Sequence, residues 1–382
     1  MVTFGTLALV IAVGLAGPLL ALLPPRIAPP LVIGEIAAGV AVGRTGTGTL
    51  DASQPTLAFL ADIGFALLMF IVATHLPLRD AHLARAMRRG ALAAAVTLAA
   101  SIALAPAITA LGGLHRPAIL VVLLAASSAV LVLPITQAAP ASNTLLTLIA
   151  WVSIVDVLTV LAVPLVLASG TVARAIVGMV LVILGATAIG FGASQAERIE
   201  AIVSARDASH RRAWALDLRL SLLVLFTLAW IAERFDTSVL VAGFAAGAMV
   251  AALGPPRRVA DQLIGLGEGF FVPLFFVVLG ARLDLRALVH SGRDIWLLVL
   301  LAVGGVLAHV AAATVTRLPV SYGLLASAQL GVPVAVASIG LSTNALRPGQ
   351  AAAIVGASMV SLVVASAGAP WAGLSARPTP PP

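Results

Sequence analysis

Between Leu145 and Ala168 the chain reads LLTLIAWVSIVDVLTVLAVPLVLA, an apolar run long enough to cross a bilayer as a helix. Such runs recur along the sequence. Thirteen are read, at about 2–22, 29–43, 56–76, 90–112, 117–138, 144–169, 172–193, 214–232, 237–254, 262–281, 294–315, 320–342 and 350–373. The second and ninth are short, and tilt or partial re-entry would accommodate them. The expected fold class is therefore an all-α polytopic membrane protein of about thirteen transmembrane helices. Composition agrees: 61% of residues are hydrophobic, 10% are charged, and the mean hydropathy is +1.12, which no soluble domain of this size shows. The first run lacks a basic leader, so it reads as a helix rather than a signal peptide.

Several function classes drop out. Cysteine is absent, which removes disulfides, thiol catalysis and cysteine-bound metals. No histidine and carboxylate cluster has metal-site spacing, and no phosphate loop or Rossmann glycine pattern stands out. ATP-driven pumping is thus not expected, nor is an intramembrane enzyme, and no cofactor is expected. The formal charge of +7 does not imply nucleic acid, because all 22 basic residues are arginines gathered in loops. There they set orientation. Arg79, Arg85, Arg88, Arg89, Arg198, Arg206, Arg211, Arg212 and Arg219 share the richer side, read as cytoplasmic. This places the N-terminus outside and the C-terminus in the cytoplasm, with no soluble regulatory domain expected after the last run.

Asp156 is the only ionisable side chain between Leu145 and Ala168. Counted from either end of the run it lies roughly 17 Å deep at a rise of 1.5 Å per residue. A carboxylate at that depth costs about 2.5–3.5 kcal/mol on insertion scales. It needs a partner, a water-filled cavity, a bound cation or a proton, and it reads as a proton or cation site. The plain alternative is an Asp that only ties helices together.

The two halves resemble each other at an offset of about 205 residues, which suggests repeats at about 1–169 and 214–373. Ile36-Ala37-Ala38-Gly39 faces Phe244-Ala245-Ala246-Gly247, and Leu67-Leu68-Met69-Phe70 faces Leu274-Phe275-Phe276-Val277. Leu123-Leu124-Ala125 faces Leu324-Leu325-Ala326, and Ser153-Ile154-Val155-Asp156 faces Ser358-Met359-Val360-Ser361. The repeats lie seven segments apart. An odd shift reverses direction through the membrane, so the repeats are inverted, the plan of many secondary transporters. Segments 5 and 12 also carry matched interruptions: Ser127 and Ser128 through Pro134 in one, Gln329, Gly331 and Pro333 in the other. Proline removes a helix hydrogen bond and glycine permits unwinding. Paired broken helices point to a transport site; ordinary proline kinks are the alternative.

With those features in view the sequence resembles the monovalent cation:proton antiporters, in the bacterial branch of Kef-type systems and sodium/proton exchangers. The matching stretches are PPLVIGEIAAGVAVG, LADIGFALLMFIVATHLPL, SSAVLVLPITQ, VSIVDVL, LAWIAERFDTSVLVAGFAAG, GFFVPLFFVVLGARLDL and LLASAQLGVPVAVASIGLS, in family order over nearly the whole chain. The resemblance implies the sodium/proton antiporter fold, with inverted repeats and two broken, crossing helices. It implies a homodimer, a dimerisation half from segments 1–3 and 8–10, and a mobile core from segments 4–6 and 11–13. It places Asp156 on the family's essential carboxylate. Two departures stand out. Many members have a polar or acidic residue before the carboxylate, where this chain has Val155. Many carry Lys or Arg in segment 11, where this chain offers His309.

Ser127, Ser128, Ser153 and backbone carbonyls at the broken helices could complete an oxygen shell for a hard cation. Glu35, Asp62 and Glu268 are candidates for an access funnel or a second acid, each with a structural alternative: a bond within the dimer half, an interfacial helix end, a solvated helix end. The expected function is secondary antiport of Na⁺ or K⁺ against H⁺ across the cytoplasmic membrane, electroneutral, with elevator-like access to Asp156. The expected partners are those ions, membrane lipid and a second copy of the chain, and no nucleic acid. The alternatives are a cation-coupled solute transporter of the same fold and a transport-inactive scaffold or sensor.

Overall fold

The computed structural model describes residues 3–22, 31–74, 83–129, 131–132, 142–167, 172–196, 216–235, 237–253 and 263–371. Among them every regular element is helical. In chain order these are α1 (Phe4–Gly14), α2 (Ala16–Ala21), α3 (Leu31–Val42), α4 (Pro55–Thr74), α5 (Leu83–Gly112), α6 (Pro117–Ala125), α7 (Asn143–Leu167) and α8 (Val172–Ala196). They continue as α9 (Leu216–Arg234), α10 (Val239–Leu253), α11 (Leu263–Arg282), α12 (Leu285–His290), α13 (Gly292–Val315), α14 (Val320–Ala326), α15 (Gly331–Ser342) and α16 (Pro348–Trp371). By length and composition, 9 spans among the described residues could cross a membrane, and α3 and α10 are shorter apolar helices. Leu184 on α8 and Trp230 on α9 are among the large apolar side chains left exposed, as lipid-facing residues of a multi-pass protein must be.

The helices form two compact units. Unit 1 is Met1–Arg79 with Gly170–Arg282, and unit 2 is Asp80–Ser169 with Leu283–Pro382. Each unit therefore draws helices from both repeats.

In unit 1 the packing is reciprocal between repeats. α3 packs on α11, and α10 packs on α4. A Cβ at Gly39 would collide with the Val277 carbonyl, and a Cβ at Gly247 would collide with the Phe70 carbonyl. The sequence matches pair Gly39 with Gly247 and Phe70 with Val277, so each repeat supplies the glycine of one crossing and the carbonyl of the other. Without a hydrophobic drive between helices in lipid, such backbone approach is what small residues contribute. Phe65 of α4 stacks on Phe275 of α11 at a centroid distance of 5.0 Å.

α11 contains one π turn, Gly267–Phe271, in which the Val272 amide reaches back to the Gly267 carbonyl. Pro273 follows and has no amide to donate, so the chain widens just before the residue that would break an ordinary turn. The Phe271 carbonyl displaced by this turn fits against the bare Cα of Gly64 in α4.

Unit 2 is held by polar ties at helix ends. Ser291 caps α13 by accepting the Asp294 amide at 3.2 Å. The buried Asp294 carboxylate pairs with Arg347 at 3.1 Å, just ahead of α16. The Gln350 amide donates to the Gly113 carbonyl at 3.3 Å beyond α5.

Candidate ion-binding site at the crossing of two broken helices

The paired interruptions expected in segments 5 and 12 are breaks in the helices. α6 ends at Ala125, and Ala126 is extended, with φ −54° and ψ 140°. Helix resumes at Ala129, and the Val132 amide bonds to the Ser128 carbonyl at 3.3 Å. α14 ends at Ala326 and α15 begins at Gly331. The residues that break the helices are not those that the prolines suggested. In segment 5 the break falls at Ala126–Ser128, and Pro134 lies outside the described residues. In segment 12 Gly331 and Pro333 open the second half-helix rather than unwind it. Proline is tolerated there because first-turn amides have no helical partner.

The two breaks touch. Ser127 donates its hydroxyl to the Ala326 carbonyl at 2.6 Å. That carbonyl is an orphan acceptor at the end of α14, so the contact satisfies a group that the break itself exposed. Ser128 is buried beside it.

Asp156 comes to this crossing from α7. Only 3% of it is exposed, and its Oδ2 accepts the Ala129 amide at 3.1 Å. The carboxylate therefore sits at the N-terminal end of the resumed helix, where free amides and the helix dipole favour an anion. Thr159, one turn on, gives its hydroxyl to the Val155 and Asp156 carbonyls at 2.8 and 3.2 Å. No described side chain donates to the carboxylate.

The second repeat has the matching bond with different chemistry. The Gln329 amide, at the other break, donates to Ser361 Oγ at 3.4 Å, and Ser361 in turn donates to the Ser358 carbonyl at 2.7 Å. Ser361 is the residue that the repeat aligns with Asp156. One break thus offers its amide to a carboxylate and the other to a hydroxyl.

Three polar atoms are buried without a described partner in the same unit: Ser153 Oγ, Gln329 Oε1 and His309 Nε2. Ser153 lies one turn before Asp156 on α7. Gln329 packs over Gly305, where a Cβ would come within 3.2 Å of its Nε2. His309 Nδ1 bonds the Gly305 carbonyl at 2.8 Å. A carbonyl only accepts, so Nδ1 carries a hydrogen. Each orphaned buried group costs about 1–3 kcal/mol. An orphaned hydroxyl one turn from a buried carboxylate suits water, a proton or a cation as the missing partner.

Trp151 and Thr97 had no role in the sequence reading. Trp151 is fully buried, donates its indole N–H to Thr97 Oγ1 at 3.0 Å and stacks on His309 at 5.8 Å between centroids. The one available signal is that a tryptophan deep in an apolar helix needs an acceptor for its N–H. Which acceptor could not be read.

The other candidate acids belong to unit 1. Glu35 is buried on α3 with its Oε1 near Gly17 of α2. Asp62 is exposed on α4, and Glu268 is exposed within the π turn of α11. Asp156, His309, Gln329 and the serines all belong to unit 2.

The transmembrane sodium/hydrogen exchanger family profile matches residues 7–373. The chain belongs to the sodium/hydrogen exchanger family. This exchanger-family chain is 28% identical over 165 residues to the high-affinity Na⁺/H⁺ antiporter NhaS3 of Synechocystis sp., covering 40% of this chain and 34% of that protein. It is 25% identical over 313 residues to the Na⁺/H⁺ antiporter NhaS5 of the same organism, covering 79% of this chain and 44% of that one. The chain thus spans less than half the length of these curated relatives. In structure it is similar to the sodium proton antiporter MjNhaP1 of Methanocaldococcus jannaschii, with a TM-score of 0.63 at 16% identity, over 98% of this chain and 97% of that one. The exchanger-family chain therefore has the sodium/proton antiporter fold.

Proposed function

We propose that the protein exchanges a monovalent cation, Na⁺ or K⁺, for H⁺ at Asp156. The observation that carries this reading is the placement of one buried carboxylate on the amide of a broken helix, at the point where a second broken helix touches the first. Family membership and fold support it. A carboxylate held by a single backbone amide can accept either a proton or a cation in the remaining space. Hard cations prefer oxygen ligands. Ser153 and Gln329 bring unpaired oxygens to the same unit.

Exchange is one for one and electrically silent in this reading. The proton-loaded and cation-loaded carboxylates carry the same charge, and Ser361 leaves the second break without an acid. Elevator-like movement of unit 2 relative to unit 1 would expose Asp156 to each side in turn. The chain works as a homodimer in the cytoplasmic membrane, with its N-terminus outside, and serves pH homeostasis.

The test is exchange of radiolabelled sodium or rubidium in proteoliposomes under a pH gradient. Asp156→Asn keeps the shape and removes the charge. It is expected to abolish exchange while expression and folding survive. Substantial pH-driven cation exchange by this variant would overturn the assignment.

A further inference from the structure

Away from the ion site, unit 1 carries a cavity of about 290 Å³ lined by Arg174, Trp230, Glu233 and Arg234. Arg174 lies in the first turn of α8, and Arg234 is the last residue of α9. Arg174 Nη2 donates to the Arg234 carbonyl at 3.1 Å, which ties the two helix ends together. Both ends therefore lie at the same level, at one edge of the apolar spans. Below the cavity the helices present apolar residues to the outside: Leu223 and Phe226 on α9, Val177, Val180 and Leu184 on α8. Their spacing of three to four residues makes a stripe along each helix.

The cavity holds two guanidinium groups, one carboxylate and one indole. Two arginines suit a phosphodiester, whose oxygens accept their N–H groups. A carboxylate suits a primary ammonium, because it accepts N–H groups that a quaternary ammonium lacks, and an indole face attracts the same charge. Trp230, 62% exposed, occupies the position that tryptophan favours at the boundary of a bilayer. An apolar stripe leading away from such a cavity suits acyl chains. We propose that this is a binding site for a phospholipid with a phosphoethanolamine headgroup. The phosphate lies between Arg174 and Arg234, the ammonium faces Glu233 and Trp230, and the chains lie along α8 and α9. The site is independent of the ion exchange proposed above.

Native mass spectrometry of the detergent-purified full chain tests this, with phosphatidylethanolamine, phosphatidylglycerol and phosphatidylcholine titrated in turn. Phosphatidylethanolamine is expected to bind most tightly. Arg234→Gln, whose side chain makes no hydrogen bond among the described residues, should weaken it about fivefold, the contribution of one arginine near a membrane surface. Glu233→Gln should act differently on the two headgroups, weakening phosphatidylethanolamine and strengthening phosphatidylglycerol. Soluble phosphoethanolamine, lacking chains, should compete poorly. Three results would each overturn the proposal: phosphatidylglycerol or phosphatidylcholine preferred by the unaltered protein, an unchanged ratio of the phosphatidylethanolamine and phosphatidylglycerol affinities after Glu233→Gln, or soluble phosphoethanolamine binding as tightly as the lipid.

Discussion

The contact between the two breaks can be weighed directly through Ser127. Its hydroxyl is 2.6 Å from the Ala326 carbonyl, and the two residues are 2% and 0% exposed. Ser127→Ala removes the donor and leaves the acceptor buried. That acceptor has no helical donor, since the chain leaves α14 at Ala326. The cost is then that of an unpaired buried carbonyl, about 1–3 kcal/mol, or about 5- to 150-fold in the folded-to-unfolded ratio. Ser128→Ala is the matched control. Ser128 is the next residue and is also buried, but its hydroxyl makes no bond among the described residues, so its loss should cost under about 1 kcal/mol. Ser127→Cys should fall between the two, because a thiol is a weak donor. The assay is thermal and denaturant unfolding of the purified protein in detergent, with the three variants side by side. If Ser127→Ala is no less stable than Ser128→Ala, the two breaks are not joined by this bond, and the account of the crossing fails.

Two crossings in unit 1 should respond alike. Gly39→Ala and Gly247→Ala each press a methyl group into a facing carbonyl, and each should cost about 1–3 kcal/mol in the same unfolding assay; tolerance of either would deny the close approach. Electroneutrality predicts no sustained transport current on solid-supported membranes at alkaline pH, in the unaltered protein or in His309→Ala, and a robust current in both would rule out one-for-one exchange. In the loop before α4, the hydroxyl and amide of Ser53 hold the Asp51 carboxyl below its usual range. A depressed folded value gives stability that is present above the unfolded pKa of about 3.9 and is lost as pH falls through the folded value. The stability gap between the unaltered protein and Asp51→Ala should therefore be constant near neutrality and close below about pH 4; a gap unchanged in acid would refute it.

The sequence made Asp156 conspicuous because one charge in a long apolar run has no inexpensive explanation. It made the breaks visible as a pair, because the same interruption recurs after the same Leu-Leu-Ala in both halves. It bracketed them without fixing their ends: the stretches from Ser127 to Pro134 and from Gln329 to Pro333 overlap breaks from Ala126 to Ser128 and between Ala326 and Gly331. Proline and glycine are the residues whose helix-breaking chemistry can be read, yet the chain opens just ahead of them, from Ala126 to Ser128 and after Ala326, where Ser127 reaches across to the Ala326 carbonyl. The bond from Ser127 to Ala326, like that from Trp151 to Thr97, joins residues far apart in sequence, and apolar periodicity carries no address for such a partner. Gly39 and Gly247 were legible as matched positions of the repeat. That each meets the other repeat's helix required coordinates. The π turn was hidden for a related reason: Pro273 announces a disturbance in α11, but whether the helix kinks or widens depends on the space that Gly64 leaves.

The exchange of glycine and carbonyl between repeats also sets an order of events during synthesis. α3 and α4 leave the ribosome long before α10 and α11. The intervening chain amounts to about 10–45 s of elongation at 5–20 residues per second. Throughout that interval Val277, which meets Gly39, and Gly247, which meets Phe70, have not been made. The first half cannot complete itself and wait. Both crossings of unit 1 form only once the second half has arrived.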